Sequence, residues 1–583
     1  MEIFRKLGWF FKQEKKSYII GIILLLIVAL LQLVPPLVIG VVVDLINDGT
    51  VTTPRLVQWI GFLIIAALIA YVFRYLWRIK IYGSAVKLSR QLRSRLYEHF
   101  TNMPTSFYQR KRIGDLMAHA TNDLSAVQQT AGNGVLSFVD SLTTGGFVII
   151  AMSFIDWRLT ILSLLPMPFI ALSTSYYGKL IHKRFKRAQA AFSDLNDKTQ
   201  ESVTGIKVIK TFGQEEEDIE SFRQASHDVV NKNIAVARID ALYDPTIGLM
   251  AGISYFITIG VGATFVLDGS LTIGQLVSFT TYLGLLIWPM LAFGWLFNIV
   301  QRGNASYDRI MELLQEKPEI IDESQAIQKQ ASGDIEYDLK SFSYPNEDEP
   351  ALRDIHLTIH KGETLGIVGR TGSGKTTLLK LLIREFINLE GDIRIGGHSI
   401  ADYALASLRA AIGYVPQDHF LFSATVGENI AFATPNASQR EIERAAYLAN
   451  IHEDILGFTN GYGTIVGERG VSLSGGQKQR LSIARALIMD PEILILDDSL
   501  SAVDAKTEEI ILQNLKQERS SKTTIITAHR LSAVQHAEQI IVMDEGTIIQ
   551  HGTHEELMKE EGWYRDMFNQ QQLEELVEQG KMD

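Results

Sequence analysis

Six runs of mostly apolar residues occupy the first half of the chain, at 18–43, 56–77, 135–154, 159–177, 245–267 and 276–300. A helix of about 20 such residues crosses a bilayer core, so each run predicts a membrane span. The first is too long for a signal-peptide core and no small-residue cleavage site follows it, so it reads as a retained span. Pro35 and Pro36 lie inside that run and predict a kink or local unwinding. A membrane helix tolerates this where neighbouring helices satisfy the freed carbonyls. The stretches 78–134 and 179–244, each over 50 residues, contain few Gly or Pro and carry apolar residues at helical spacing. They predict that spans two to five extend beyond the membrane as two helical hairpins, with tips at 102–114 and 203–214.

After Val300 the pattern changes. Residues 301–330 are polar and read as a linker. From about Ser332, apolar runs of four to eight residues alternate with helical patterns, for example at 364–368, 493–496, 524–527 and 539–542. That alternation predicts an α/β domain. The expected organisation is a transmembrane domain over 1–305, a linker over 306–331 and a second domain over 332–583. The last thirty residues are amphipathic and acidic, with no role evident from the pattern.

Charge adds orientation. Lys and Arg concentrate at the N-terminus (Arg5, Lys6, Lys12, Lys15, Lys16) and in the two long connections, including Arg78, Lys80, Lys87, Arg90 and Lys183, Arg184, Lys186, Arg187. The short loops offer little beyond Arg55 and Arg158. The positive-inside rule then predicts that both connections, both termini and the α/β domain are cytoplasmic. Hydrophobic residues form 46% of the 583 residues and charged ones 21%, a balance typical of membrane proteins. A net charge of −11 without a basic tail argues against a nucleic-acid partner. The chain has no cysteine, which excludes disulfides and thiolate-bound metal.

The strand-like run 364–368 leads directly into Gly369-Arg-Thr371-Gly372-Ser373-Gly374-Lys375-Thr376, followed by a helical run from Thr377. This is a phosphate-loop pattern in its strand–loop–helix context. The glycines allow backbone N–H groups to face the phosphates, and the helix N-terminus adds its dipole. Lys375 is then expected to bridge the terminal phosphates and Thr376 to ligate Mg²⁺. A second apolar run ends in Asp497-Asp498. Ionised carboxylates at the end of a buried strand need a counter-charge, which Mg²⁺ would supply to Asp497. Asp498 is then placed to polarise a water attacking the γ-phosphate.

Leu473-Ser474-Gly475-Gly476-Gln477, followed by Lys-Gln-Arg480, resembles the signature of ABC ATPases. The resemblance implies an adenine-stacking role for Tyr344, a Q-loop glutamine at Gln417 contributing to catalysis and to Mg²⁺, a D-loop at Ser501-Ala-Val-Asp504 and a switch histidine at His529. It implies ATP and Mg²⁺ as cofactors. Two cassettes would clasp head to tail, each ATP lying between one chain's phosphate loop and the other's Ser474-Gly475-Gly476-Gln477. With one cassette per chain, a second half-transporter is expected. The resemblance continues into Phe107-Tyr108, Gly114-Asp115-Leu116, Thr121-Asn122-Asp123, Glu201 to Ile206, Lys210 and Phe212, which look like exporter coupling segments. Thr464 to Gly470 looks like a loop found in exporters. The implied fold is that of a type I ABC exporter: an all-α six-helix membrane domain followed by an α/β P-loop NTPase.

One departure matters. The family usually places Glu after the Mg²⁺ aspartate, often followed by Ala; here stand Asp498 and Ser499. The side chain is shorter by a methylene, roughly 1 Å of reach, and a misplacement of that order can cost about 100-fold in rate. The expectation is a site that binds ATP and hydrolyses it poorly, in a chain resembling the degenerate-site subunit of heterodimeric bacterial multidrug exporters of the BmrC and LmrC type. The partner would carry Glu, and the protein would sit in a bacterial plasma membrane. The expected cargo is an amphipathic or cationic drug, or a lipid. Asp140, inside the third run, is a candidate for attracting cations, or a residue bonded to a neighbouring helix. Arg74 reads as a snorkelling residue. Trp288, Phe293, Trp295 and Phe297 either line a pocket or face lipid. A homodimer, an ATP-gated regulatory or channel-like subunit, and a soluble ABC ATPase are the alternatives; six apolar spans argue against the last.

Overall fold

The structure is a computed structural model. It describes residues 2–323, 325–345, 347, 349–467 and 472–578, apart from the side chains of Phe293, Gly294 and 575–578. Contacts divide the chain into two compact units, Met1–Asn102 with Lys111–Lys317, and Met103–Arg110 with Pro318–Asp583.

Among the described residues, six helices of the first unit are long and apolar enough to cross a membrane. They are α1 (Lys15–Asn47), α2 (Thr53–Asn102), α3 (Ile113–Ile155), α4 (Trp157–Thr204), α5 (Glu215–Leu267) and α6 (Ile273–Gln315). Each apolar run lies inside one of them. With 50 residues and 1.5 Å rise per residue, α2 is about 75 Å long, well over twice a bilayer core. The expected hairpin tips are short helices, Thr105–Arg110 and Ile206–Phe212. The second lies between Gly205 and Gly213, whose φ of 63° ends it in the left-handed region. The polar stretch after Val300 is helical as far as Gln315. Tyr307, Ile310 and Leu313 recur at threefold spacing there and are all buried.

The proline pair does interrupt α1, which breaks between Leu31 and Val34. Hydroxyls from α6 meet carbonyls near the break: Tyr282 Oη donates to Leu33 O (2.8 Å) and Ser278 Oγ to Pro36 O (2.8 Å). One turn further on, α1 and α6 touch backbone to backbone. A Cβ on Gly274 would lie 2.0 Å from Gly40 O. The Asp44 carboxylate accepts from Thr272 Oγ1 (2.6 Å) and Gly274 N (2.7 Å), satisfying donors at the start of α6. Lower down, Asp123 of α3 accepts from Ser306 Oγ (2.7 Å) and pairs with Arg309 of α6. Asp140 is half-buried and accepts from Thr144 Oγ1 one turn along its own helix (3.1 Å). Arg74 is exposed, as are Trp288, Trp295 and Phe297. The Phe293 side chain lies outside the described residues.

The second unit contains two sheets. One is four-stranded and antiparallel, in the order β2 (Leu352–Ile359), β1 (Ile335–Phe342), β4 (Leu389–Ile395), β5 (His398–Ser399). The other has the order β10 (Thr547–Gly552), β9 (Gln539–Asp544), β3 (Thr364–Gly369), β8 (Thr523–Thr527), β7 (Ile493–Asp497), β6 (Ile412–Val415). All neighbours in it are parallel except the β10 edge. Every residue of β7 and β8 is buried, which is why they read as continuous Ile/Leu/Thr runs without alternation. The parallel arrangement brings the C-terminal ends of β3, β6, β7 and β8 to one edge, where ligands of open α/β sheets bind. Thr105–Arg110 groups with this unit. Its Ser106 Oγ donates to Glu319 (3.1 Å) and Arg110 pairs with the same carboxylate (2.8 Å).

Because the Gly40–Gly274 approach is backbone against backbone, Gly274→Ala should destabilise the membrane unit by about 1–3 kcal/mol. A thermal-shift measurement on the detergent-solubilised protein checks it, with Gly146→Ala, where a Cβ meets nothing within 4 Å, as control.

Candidate nucleotide-binding site

Strand β3 delivers the chain into a loop that only glycine can build. Gly369 has φ 143°, and a Cβ there would lie 2.1 Å from Met543 O on the adjacent strand β9. Gly372 and Gly374 have φ of 83° and 97°, and Gly374 opens helix α7 (Lys375–Leu382). Lys375 Nζ donates to Gly369 O and Arg370 O, both at 2.8 Å, so the ammonium lies over the loop. Burial pushes its pKa down, and the nearby Asp498 and Asp497 charges oppose that shift. The Ser373 hydroxyl is buried without a hydrogen-bond partner among the described residues, as suits a loop that receives phosphate oxygens. Tyr344 packs edge-on against Phe342 and Phe386, and its hydroxyl is 2.8 Å from Thr377 Oγ1.

Asp497, at the end of β7, is only 2% exposed. Three hydroxyls hold it: Thr376 (3.1 Å) and Thr527 (2.8 Å) donate to Oδ1, and Tyr414 donates to Oδ2 (3.1 Å). The Thr376 hydroxyl and the Asp497 carboxylate are hard oxygen donors side by side, a fit for Mg²⁺. Asp498 leaves the strand at φ 46°, a left-handed conformation that a non-glycine residue adopts at a cost. Its N–H is held by Thr527 Oγ1 (2.8 Å) and its carbonyl by Ser501 Oγ (2.9 Å). One carboxylate oxygen, Oδ2, faces both Gln417 Nε2 (3.4 Å) and His529 Nε2 (3.8 Å). Burial raises the Asp498 pKa and Asp497 adds to the rise, while a His529 charge opposes it.

The structure therefore gathers Lys375, Thr376, Asp497, Asp498, Gln417 and His529 into one cluster, with Tyr344 joined through Thr377. Gln417 makes its contact with Asp498, the candidate catalytic carboxylate, and not with Asp497. The signature residues stand apart. Among the described residues, no hydrogen bond or ion pair links Ser474, Gly475, Gly476 or Gln477 to the phosphate loop. Ser474 instead caps helix α8 (Gly475–Leu487) in a reciprocal box with Gln477, and Ser474 and Gly475 are exposed. Gly476 has no room for a Cβ, which would lie 2.9 Å from Ala502 O. Glu468, Arg469 and Gly470 lie outside the described residues.

Three residues of the site were not legible as such. Thr527 bonds both carboxylate residues, Tyr414 bonds Asp497, and the buried Gln479 joins α8 to the D-loop through Ser501 Oγ (3.3 Å) and Ala502 N (3.0 Å). The available signal was position. Thr527 and Tyr414 stand two and three residues before His529 and Gln417, at strand ends that feed the same edge.

Comparison with known proteins agrees with this geometry. Residues 18–290 match the family model for the ABC transporter transmembrane region, and 352–501 the model for the ABC transporter. The chain is 49% identical over 575 residues to the multidrug resistance-like ATP-binding protein MdlA of Escherichia coli, covering 98% of this chain and 97% of that protein. It is 46% identical over 572 residues to the probable multidrug resistance ABC transporter ATP-binding/permease protein YheI of Bacillus subtilis, covering 98% of each. Among solved structures, a bacterial Atm1-family ABC exporter with ATP bound superposes with a TM-score of 0.78 at 26% identity, over 95% of this chain and 99% of that one.

Two outcomes follow from the cluster. Thr527→Val keeps the shape and removes the hydroxyl that serves Asp497 and Asp498, so a loss of about 1–3 kcal/mol is expected in thermal unfolding of the full-length protein. For Asp498 the raised pKa means that folding favours the protonated form. Its contribution is present at low pH and is lost as pH rises through the folded-state pKa, leaving a buried carboxylate as a penalty at neutral pH. Asp498→Asn should therefore raise the melting temperature at pH 8 and raise it less at pH 4. An equal gain at both would contradict the raised pKa.

Proposed function

The chain belongs to the ABC transporters, as a multi-pass, multidrug-type exporter with fused transmembrane and ATP-binding domains in the type I exporter fold and an ATPase coupled to transport; from that premise we propose that it is one half of a heterodimer whose own ATP site turns over slowly. The observation that carries the reading is Asp498. It faces Gln417 and His529, where a water-polarising carboxylate belongs, yet it is one methylene shorter than the glutamate usual in this family. Lys375 binds the terminal phosphates, and Thr376 and Asp497, with Gln417 as a further candidate, would hold Mg²⁺. A bound Mg²⁺ neutralises charge on the β- and γ-phosphates. Asp498 orients a water at a distance that makes hydrolysis slow, and His529 donates toward the γ-phosphate.

The exposed N-terminus of α8 supports the second half of the proposal. Ser474, Gly475 and Gly476 present backbone N–H groups that can receive a phosphate offered from outside. This chain's intact signature would complete a fast site on a partner bearing Glu after its Mg²⁺ aspartate. A second chain is supported by the membrane unit as well. The cytoplasmic part of α5, Glu215–Asp240, has no buried residue, and neither has the tip helix Ile206–Phe212, although Val208, Phe212, Ile219 and Phe222 are large and apolar. In the transport cycle ATP draws two cassettes together, the tips around 102–114 and 203–214 transmit closure, and the cavity turns outward. Both termini and the cassette are cytoplasmic, the membrane is a bacterial plasma membrane, and the cargo is an amphipathic drug or lipid.

Asp498→Glu should raise ATPase activity of the purified transporter by an order of magnitude or more, given about 100-fold per 1 Å of misplacement. No change would contradict a slow site. Purification from native membranes, with sequencing of the co-purified half-transporter, decides the pairing: a different chain with Glu supports the heterodimer, and a second copy of this chain gives a homodimer. In inverted vesicles, Lys375→Ala should abolish uphill accumulation of a fluorescent amphipathic cation. Retained ATP-gated leak would mark a regulatory or channel-like subunit.

A further inference from the structure

The acidic C-terminal segment, silent in the sequence pattern, is attached to the ATP site. Helix α9 (Trp563–Glu578) is anchored by Tyr564, which is fully buried, places its hydroxyl 2.8 Å from His554 Nδ1 and donates its backbone N–H to Gln550 (3.1 Å). Phe568, one turn on, lies nearly parallel to the Tyr564 ring and within reach of His554. Gln571 follows on the same helical face, seven residues after Tyr564. Its Nε2 donates to His529 O (2.8 Å) and its Oε1 accepts from Leu531 N (2.9 Å). The two backbone partners fix which end of the amide is which, because a carbonyl only accepts and an N–H only donates.

The consequence lies one residue away. His529 follows strand β8 immediately, separated from Thr527 by Ala528, and its imidazole lies 3.8 Å from Asp498. On its upstream side the loop is fixed by the sheet, with Ala528 N bonded to Ile367 O (3.2 Å). Downstream, the Arg530 side chain reaches Val503 O (3.2 Å), while the backbone on both sides of Arg530 is held by Gln571. A side chain that pins the carbonyl of His529 and the N–H two residues later restricts the dihedral angles that aim the imidazole.

We propose that Gln571 is a positioning residue for His529, which makes the C-terminal helix a structural part of this chain's ATP site. The inference rests on the reading of His529 as the histidine that faces the γ-phosphate. It predicts that the site is sensitive to changes at the C-terminus that leave every recognised ATP-site motif intact.

The test uses the full-length transporter with its partner and ATP. Gln571→Leu removes both polar ends and keeps a good helix former. Hydrogen–deuterium exchange across 528–533 should quicken at least about threefold, the expected effect of losing two backbone hydrogen bonds, while 554–568 stays protected. In the D498E chain, where this site turns over on the reading above, Q571L should lower kcat about three- to tenfold with the ATP KM within about twofold, equivalent to roughly one hydrogen bond. The double variant Q571L/H529A should be no slower than H529A alone. Unchanged exchange at 528–533, or an effect that adds in full to H529A, overturns the proposal. If 554–568 also loses protection in Q571L, Gln571→Glu takes its place. It keeps the acceptor for Leu531 and loses the donor to His529; faster loop exchange supports the proposal and an unchanged loop overturns it. A silent D498E would count against the slow-site reading alone, since the exchange arm needs no hydrolysis.

Discussion

Asp497 is the constraint on which the cassette is organised. A carboxylate at the end of a strand buried along its whole length is costly unless hydrogen bonds replace the lost water. Here the replacements come from three other elements: Thr376 from the first turn of α7, Thr527 from the end of β8 and Tyr414 from β6. Satisfying one anion therefore ties together the phosphate loop and two neighbouring strands. The same hydroxyl of Thr527 also holds the backbone of Asp498 in its left-handed conformation. A single polar requirement thus sets the geometry of both acids. The strain at Asp498 is the kind that surrounding structure must enforce.

The membrane unit answers the same requirement in a solvent that offers no hydrogen bonds. Carbonyls near the Pro35–Pro36 break are met by Tyr282 and Ser278 of α6, and the first donors of α6 are met by Asp44 of α1. With Gly40 and Gly274 removing side chains between them, the two helices pack as closely as backbones allow. Further along α3 and α6, Arg309 pairs with Asp123 and Ser306 donates a hydrogen bond to it. In each case a polar group is met by a partner on another helix.

What the chain leaves open is as informative as what it closes. Ser474 and Gly475 at the start of the signature helix are exposed, the segment Glu215–Asp240 of α5 has no buried residue, and only 6% of the apolar window of α2 is buried. Apolar surfaces this extensive on one chain suit burial against lipid or another chain. The ATP site carries a similar dependence at short range. Asp498 faces Gln417 and His529, and the backbone from His529 to Leu531 is in turn held by the side chain of Gln571.

Much of this was legible in the residues. Apolar run length located the six spans, because a bilayer sets a minimum length for helices. Glycine spacing located the phosphate loop, because its backbone angles exclude other residues. The strand ends that carry Asp497 and lead to His529 were legible because parallel buried strands are uninterrupted apolar runs. Roles that depend on distant contacts were not. Tyr414, Thr527, Gln479 and Gln571 are ordinary residues in their local contexts. The helical continuation of α6 past Val300 was hidden by its polar surface, since only three large apolar side chains, Tyr307, Ile310 and Leu313, are buried along it. By itself the sequence determined which segments are helix, strand and phosphate loop, since periodicity and backbone sterics act locally. The tertiary structure alone decided which hydroxyls reach Asp497 and which amide holds the His529 loop, because those bonds join residues tens to more than a hundred positions apart, brought together only by the parallel sheet and by the packing of the C-terminal helix.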